Sequence, residues 1–152
     1  ENLAIGEAIG ASYFSSADSF AMIRGGHIDV AILGALQVDE NGYIANWAIP
    51  GENIMGVGGA MDLMSGAKKI IVTTNHTNKK GESKLVKSCS YPITSIRKVD
   101  VIITDLAVFE MKNNTLTLIE LMPGIPLEEV RSKTESNFVI AESLKEVILD
   151  GK

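Results

Sequence analysis

The stretch Ile28-Asp29-Val30-Ala31-Ile32-Leu33-Gly34 sets the fold class. It is rich in β-branched residues and almost unbroken in its apolar character, the pattern of a strand covered on both faces of a parallel sheet. Two later stretches repeat it: Lys68-Lys69 running through Ile70-Ile71-Val72-Thr73-Thr74, and Val99-Asp100-Val101-Ile102-Ile103-Thr104. Just upstream of the first, Ser15 and Ser16 precede Ala17 to Arg24, with Gly25-Gly26 behind. A capping hydroxyl, an acidic first turn and a glycine stop predict a short helix with Phe20 and Ile23 on one face. Just downstream, Leu36-Gln37-Val38 and Tyr43 to Trp47 flank Asp39-Glu40-Asn41-Gly42, and Asn-Gly between such segments predicts a β-hairpin.

Farther out, the glycine loop Met55-Gly56-Val57-Gly58-Gly59 opens onto a short helix, Ala60 to Gly66. Asn78-Lys79-Lys80-Gly81 is a polar turn, and Lys84 to Ser90 reads as strand or irregular structure. Ala107 to Met111 and Leu116 to Leu121 pair as a second hairpin across Lys112-Asn113-Asn114-Thr115. Pro123 and Pro126 interrupt the sheet pattern. Leu127 to Arg131 reads as a surface helix, its acids leading and its base trailing as the helix dipole favours. Phe138-Val139-Ile140 is a last strand, and Leu144 to Leu149 a terminal helix. The expected architecture is α/β, a mostly parallel open sheet with flanking helices and added β-hairpins. At 152 residues the chain is expected to be a single domain, 1–152.

Composition narrows the function classes. With 14 Lys and Arg against 19 Asp and Glu, the net charge of -5 repels phosphate backbones and anionic lipid, and no aromatic stacking platform accompanies the scattered bases. Nucleic acid and membrane are therefore not expected partners. Mean hydropathy is +0.16, yet no apolar run approaches the roughly 20 residues of a spanning helix. Cys89 is the only cysteine, and His27 and His76 stand too far apart for metal-ligand spacing. The expectation is a reduced, metal-free, cytoplasmic protein.

The glycine loop is the most informative local feature. Closely spaced glycines let backbone amides approach a ligand. It does not fit the dinucleotide fingerprint, because Gly56-x-Gly58-Gly59 runs straight into Ala60-Met61. Three readings stand: a corner packing a helix against a sheet, an anion cradle, or an oxyanion hole for an acyl group. His27 reads as structural, at a helix-to-strand turn. His76 lies at a strand end where α/β proteins present ligand groups, and is the better functional candidate of the two. Cys89 reads as inert packing, and Trp47 and Met55 flank the loop.

Taken together, Tyr13-Phe14-Ser15-Ser16-Ala17-Asp18-Ser19-Phe20-Ala21-Met22-Ile23-Arg24-Gly25-Gly26-His27, Leu33 to Val38, Ile44-Ala45-Asn46-Trp47 and Gly56-Val57-Gly58-Gly59-Ala60-Met61-Asp62-Leu63 resemble one family. The resemblance is to the B subunits of family I CoA-transferases, of the 3-oxoacid (succinyl-CoA:acetoacetate) type. The likeness continues through His76 to Lys79, Cys89 to Thr94, Ile103 to Phe109 and Leu118 to Leu121. It implies a CoA-transferase (NagB/RpiA-like) fold, N-terminally truncated here. It also implies an enzyme of ketone-body or short-chain fatty acid metabolism that needs no cofactor, with coenzyme A as substrate. CoA would move between carboxylates, succinyl-CoA and acetoacetate above all, through a covalent glutamyl-CoA intermediate. The Gly59 amide would be the catalytic group, stabilising an oxyanion. Asn46, Met55, Gly56 and Gly58 would lie near acyl-CoA and the short-chain carboxylate. The expected partner is an A subunit or A domain, in a hetero- or homo-oligomer.

By the same resemblance, the nucleophilic glutamate belongs to a Ser-Glu-Asn-Gly motif upstream of residue 1. Glu40-Asn41-Gly42 copies three of those letters but already has a hairpin to make, so Glu40 is not expected to attack. Glu52 stands where the family often carries Lys after Pro-Gly, an acid beside a site for an anion. The rival readings are a related acyl transfer or thioester hydrolysis, a non-catalytic CoA- or phosphate-binding module of the same fold, and a purely structural subunit.

Overall fold

The computed structural model describes residues 6–51, 56 and 58–148. Chain order is α1 (Ser16–Arg24), β1 (Val30–Gly34), β2 (Gln37–Asp39), β3 (Ile44–Ala45), α2 (Ala60–Gly66), β4 (Lys69–Thr73), β5 (Leu85–Val86), β6 (Val101–Ile103), β7 (Ala107–Lys112), β8 (Thr115–Leu121), α3 (Leu127–Lys133) and β9 (Val139–Glu146). Six strands form one sheet in the order β1-β4-β6-β7-β8-β9, and a smaller sheet runs β3-β2-β5. The β1, β4 and β6 strands are parallel, β6 to β8 form an antiparallel meander, and β9 returns parallel to β8. The α/β architecture and both hairpins are as expected.

Local chemistry accounts for the elements. Ser15 caps α1, its hydroxyl accepting from the Asp18 amide at 3.1 Å. Gly42, at φ +86°, closes the β2–β3 turn, where Asp39 Oδ1 accepts from the amides of Asn41 and Tyr43 at 3.0 Å each. Asn113 and Asn114 take φ of 50° and 61° between β7 and β8, the left-handed pair that a tight two-residue hairpin demands.

The core lies on one face of the large sheet. Ala31, Leu33, Ile70, Val72, Ile102, Phe109 and Leu118 project to it in register across five strands. Met64 of α2, Val130 of α3 and the small sheet's Val38, Ile44 and Leu85 close over them. Burial of that many aliphatic side chains, roughly 1.5 to 3 kcal/mol each, is what holds the layers together.

Two expectations need correction. β1 is not covered on both faces: it is an edge strand, and its second face leaves Val30 47% and Ile32 65% exposed. The apolar run is present, but among the described residues only Ala31 and Leu33 of the strand meet the core. Leu144 to Glu146 belong to β9 rather than to a terminal helix, while Leu149 lies outside the described residues. Pairing with β8 explains the difference. Lys145 stands opposite Glu120, a cross-strand pair of opposite charge, and this tertiary register overrides the good helix propensity of Leu, Lys and Glu. No helix among the described residues is long and apolar enough to cross a membrane.

Candidate functional site

The glycine loop leads into α2, which descends to β4 through Ala67. Gly56 and Gly58 have φ of +83° and +55°, a backbone that L side chains rarely adopt, and a Cβ on either would meet nothing within 4 Å. Glycine is needed at these two positions for conformation. Gly59 differs. At φ -82° and ψ 0° it could hold any residue, but a Cβ would stand 2.8 Å from Cε1 and Cζ of Phe20. Its glycine is needed for space. The Gly59 carbonyl accepts from Leu63 in the first turn of α2, and no side chain caps that helix. Met55 and Glu52 lie outside the described residues.

Asn46 lies just beyond β3, half-buried, with Oδ1 accepting from the Thr94 hydroxyl at 2.7 Å. That contact ties the small sheet to the segment before β6. Asn46 makes no hydrogen bond to the glycine loop among the described residues. Glu40 is likewise occupied, for its Oε2 accepts from the backbone and side-chain nitrogens of Asn137, at 3.2 and 2.9 Å. These bonds tie the turn carboxylate to the segment before β9, a structural role. Glu40→Gln in an assembled transferase should therefore keep turnover within about twofold of the parent. The check is steady-state CoA transfer together with peptide mapping of borohydride-reduced enzyme, and an acyl-dependent adduct on Glu40 would contradict it.

His76 is 1% exposed, with Nδ1 3.0 Å from the Thr104 hydroxyl and Nε2 2.8 Å from that of Thr134. Burial pushes its pKa down to about 4, with Lys133 acting in the same direction and Asp105 opposing. This histidine joins the end of β4 to α3 and is not presented to a ligand. Burial raises the Cys89 thiol to about 12, which keeps it protonated and a poor nucleophile. His27 is exposed beside Gly25, at the helix-to-strand turn. Among the described residues no group of three or more His, Cys, Asp or Glu is placed to hold a metal ion.

At the carboxyl ends of β1, β4 and β6, where open α/β sheets bind ligands, lies an open cleft of about 950 Å³. Its lining pairs three cations, Lys79, Lys80 and Lys84, with three anions, Glu82, Asp105 and Glu135, so its charge does not select a polyanion. Asn46, Gly56, Gly58 and Gly59 are not on its wall. The glycine turn thus stands apart from the cleft, against α1.

That contact with α1 was not legible in the sequence. Arg24, in the last turn of α1, donates from Nε and Nη2 to the two carboxylate oxygens of Asp62, at 2.7 and 3.3 Å. The hydrogen bond from Arg24 holds the Asp62 carboxyl below its ordinary range. Both residues sit inside motifs that carry the family resemblance, but their spacing of 38 gives no sign that they face each other.

The family profile described as coenzyme A transferase matches residues 2–133. The chain is 56% identical over 140 residues to the B subunit of the probable succinyl-CoA:3-ketoacid coenzyme A transferase of Bacillus subtilis, covering 92% of this chain and 65% of that protein. It is 46% identical over 143 residues to the beta chain of the acetate CoA-transferase of Haemophilus influenzae, covering 94% of this chain and 64% of that protein. The chain thus spans just under two thirds of these relatives. Among solved structures, the acyl-CoA transferase apoenzyme of Escherichia coli O157:H7 superposes with a TM-score of 0.80 at 27% identity, over 96% of this chain and 34% of that one. With the profile running from before α1 to the last residue of α3, the chain belongs to the coenzyme A transferase family, among its B-type subunits.

Proposed function

We propose that the chain forms part of the B module of a CoA-transferase that moves CoA between carboxylates, and that the amide of Gly59 stabilises the oxyanions of that reaction. The observation that carries this reading is the Gly56 to Gly59 turn: among the described residues a Cβ on Gly56 or Gly58 would meet nothing within 4 Å, and glycine there lets an acyl group come close to the backbone. Succinyl-CoA and acetoacetate are the substrates it favours, since the relative named for succinyl-CoA:3-ketoacid is 56% identical and the one named for acetate 46%.

The chemistry is balanced without a redox step. A glutamate carboxylate attacks the thioester carbonyl, whose π electrons move onto oxygen. Collapse of that oxyanion expels the CoA thiolate and leaves an acyl-glutamyl anhydride. The thiolate then attacks the glutamyl carbonyl, releasing the first carboxylate and forming a glutamyl-CoA thioester, and the second carboxylate reverses the sequence. An amide N–H aimed at the developing oxyanion stabilises each tetrahedral species and costs no reorganisation at the moment of reaction. The attacking glutamate is assigned, by the family resemblance, to a Ser-Glu-Asn-Gly motif that these 152 residues do not contain.

The purified chain alone should therefore form no acetoacetyl-CoA from succinyl-CoA and acetoacetate. A full B polypeptide with these residues, assembled with an A subunit, should turn over at about 1 per second or faster. Turnover of that order by the chain alone would overturn the assignment of the nucleophile, and an inactive assembly would overturn the transferase reading.

A further inference from the structure

We propose that Phe20, Arg24 and Asp62 form a clasp between α1 and α2 that positions the Gly58–Gly59 turn, so that α1 sets the direction of the Gly59 amide. The proposal rests on the reading of that amide given above. Gly59, Asp62 and Gly66 are related as i, i+3 and i+7 and share one face of α2, while Phe20, Ile23 and Arg24, at i, i+3 and i+4, share one face of α1. The structure presses these stripes together at three points.

At the leading end, the edge of the Phe20 ring lies where a Cβ of Gly59 would have to go, 2.8 Å away. In the middle, Arg24 grips Asp62 through two nitrogens and two oxygens, and its guanidinium carbon stands 5.5 Å from the centroid of the Phe20 ring. One arginine therefore holds α2 and steadies the ring that touches the turn. At the trailing end, a Cβ on Gly66 would fall 2.0 Å from the carbonyl oxygen of Ile23, so only glycine permits this approach of helix to backbone.

Two further facts separate a positioning role from ordinary packing. α1 buries none of its residues, so it adds little to the core. The Arg24–Asp62 pair also lies at the surface, Arg24 exposed and Asp62 half-buried, and an ion pair so open to solvent adds little stability. The turn itself has no other anchor of this kind among the described residues: the Cβ directions of Gly56 and Gly58 face open space. A glycine turn with one side chain against it takes its orientation from that side chain, and a small misplacement of an oxyanion donor is costly.

The test uses the assembled transferase with Phe20→Leu, Asp62→Asn, Arg24→Lys and the charge-reversed double variant Arg24→Asp/Asp62→Arg, beside Gly59→Val. Phe20→Leu and Asp62→Asn should lower kcat about 10-fold or more with KM for the acyl-CoA within about twofold, and Arg24→Lys, which keeps the charge and loses the fork, should fall between. The double variant should recover most of the kcat lost in Asp62→Asn. Hydrogen exchange gives a readout independent of activity: amides in peptides spanning residues 58–63 should exchange faster in Asp62→Asn while the β4 and β6 peptides stay protected. If Gly59→Val lowers kcat while the clasp variants match the parent in kcat and exchange, the clasp is wrong and the Gly59 reading stands. If neither Gly59→Val nor the clasp variants lower kcat, both fall.

Discussion

Gly59→Val is expected to lower kcat of the assembled transferase about 100- to 1,000-fold, equivalent to roughly 3 to 4 kcal/mol in the barrier, the usual loss when one oxyanion donor is removed. The reason is spatial. The backbone of Gly59, at φ -82°, tolerates any L residue, so valine introduces no dihedral strain. Its first side-chain carbon, however, must occupy the place of the Phe20 ring edge. Either the ring moves away from α2 or the turn rotates away from the ring, and both redirect the amide. The cost to the fold is much smaller, because Phe20 is only partly buried and α1 buries no residue, while the packing of Met64 beneath α2 is untouched. Circular dichroism and the thermal midpoint should therefore resemble those of the parent while turnover collapses. A variant within about twofold of parental kcat would remove Gly59 from the mechanism.

How much of this was legible in the sequence depends on the range of the interaction. Features fixed by a few adjacent residues read out well: the Ser15 cap, the Asn41-Gly42 and Asn113-Asn114 turns, and the glycine loop ahead of α2 each state a local backbone requirement that only certain residues meet. Features fixed by partners far along the chain did not. Val30 and Ile32 look like core residues because their chemistry is apolar, but they lie on the sheet face turned away from the core, where Lys69 and Thr73 of β4 are exposed as well. Leu144 to Glu146 favour helix locally, and pairing with the edge of β8 overrides that preference. The site divides in the same way. Gly56, Gly58 and Gly59 were marked by composition and by resemblance, whereas the contact of Phe20 with Gly59 and the Arg24–Asp62 pair connect motifs some 40 positions apart. Residue identity announces both halves of such a contact without saying that they meet. His76 shows the same limit from the other side: a histidine at a strand end has the sequence profile of a ligand group, and only its burial against Thr104 and Thr134 shows it to be a structural link.

That link gives the chain a pH-dependent stability whose sign follows from the direction of the shift. The Thr104 hydroxyl donates to the Ala107 carbonyl at 3.0 Å, so the oxygen accepts from His76 and the hydrogen is assigned to Nδ1. Nε2 stands 2.8 Å from the Thr134 hydroxyl, which donates to the Val130 carbonyl at 2.6 Å. A proton added to the ring would leave a charge almost wholly withdrawn from water. Burial therefore lowers the folded-state pKa to about 4, against the ordinary 6.5 of the unfolded chain. Between those values the unfolded state binds the proton and the folded state does not. The contribution of His76 to stability is thus fully present above pH 6.5, falls as pH falls, and is down by about 2 kcal/mol at pH 5. His76→Gln, which can still hydrogen-bond but cannot titrate, should be less stable than the parent at pH 7 because it packs less well against Phe109, whose ring centroid lies 6.1 Å from that of His76. The difference between the two proteins should then shrink by about 2 kcal/mol between pH 7 and pH 5. Urea unfolding at both values measures that difference directly, and other titrating groups cancel in it. An unchanged difference would mean that His76 gains its proton in the folded state as readily as in the unfolded one, and the histidine would then be open to solvent and available as a proton carrier after all.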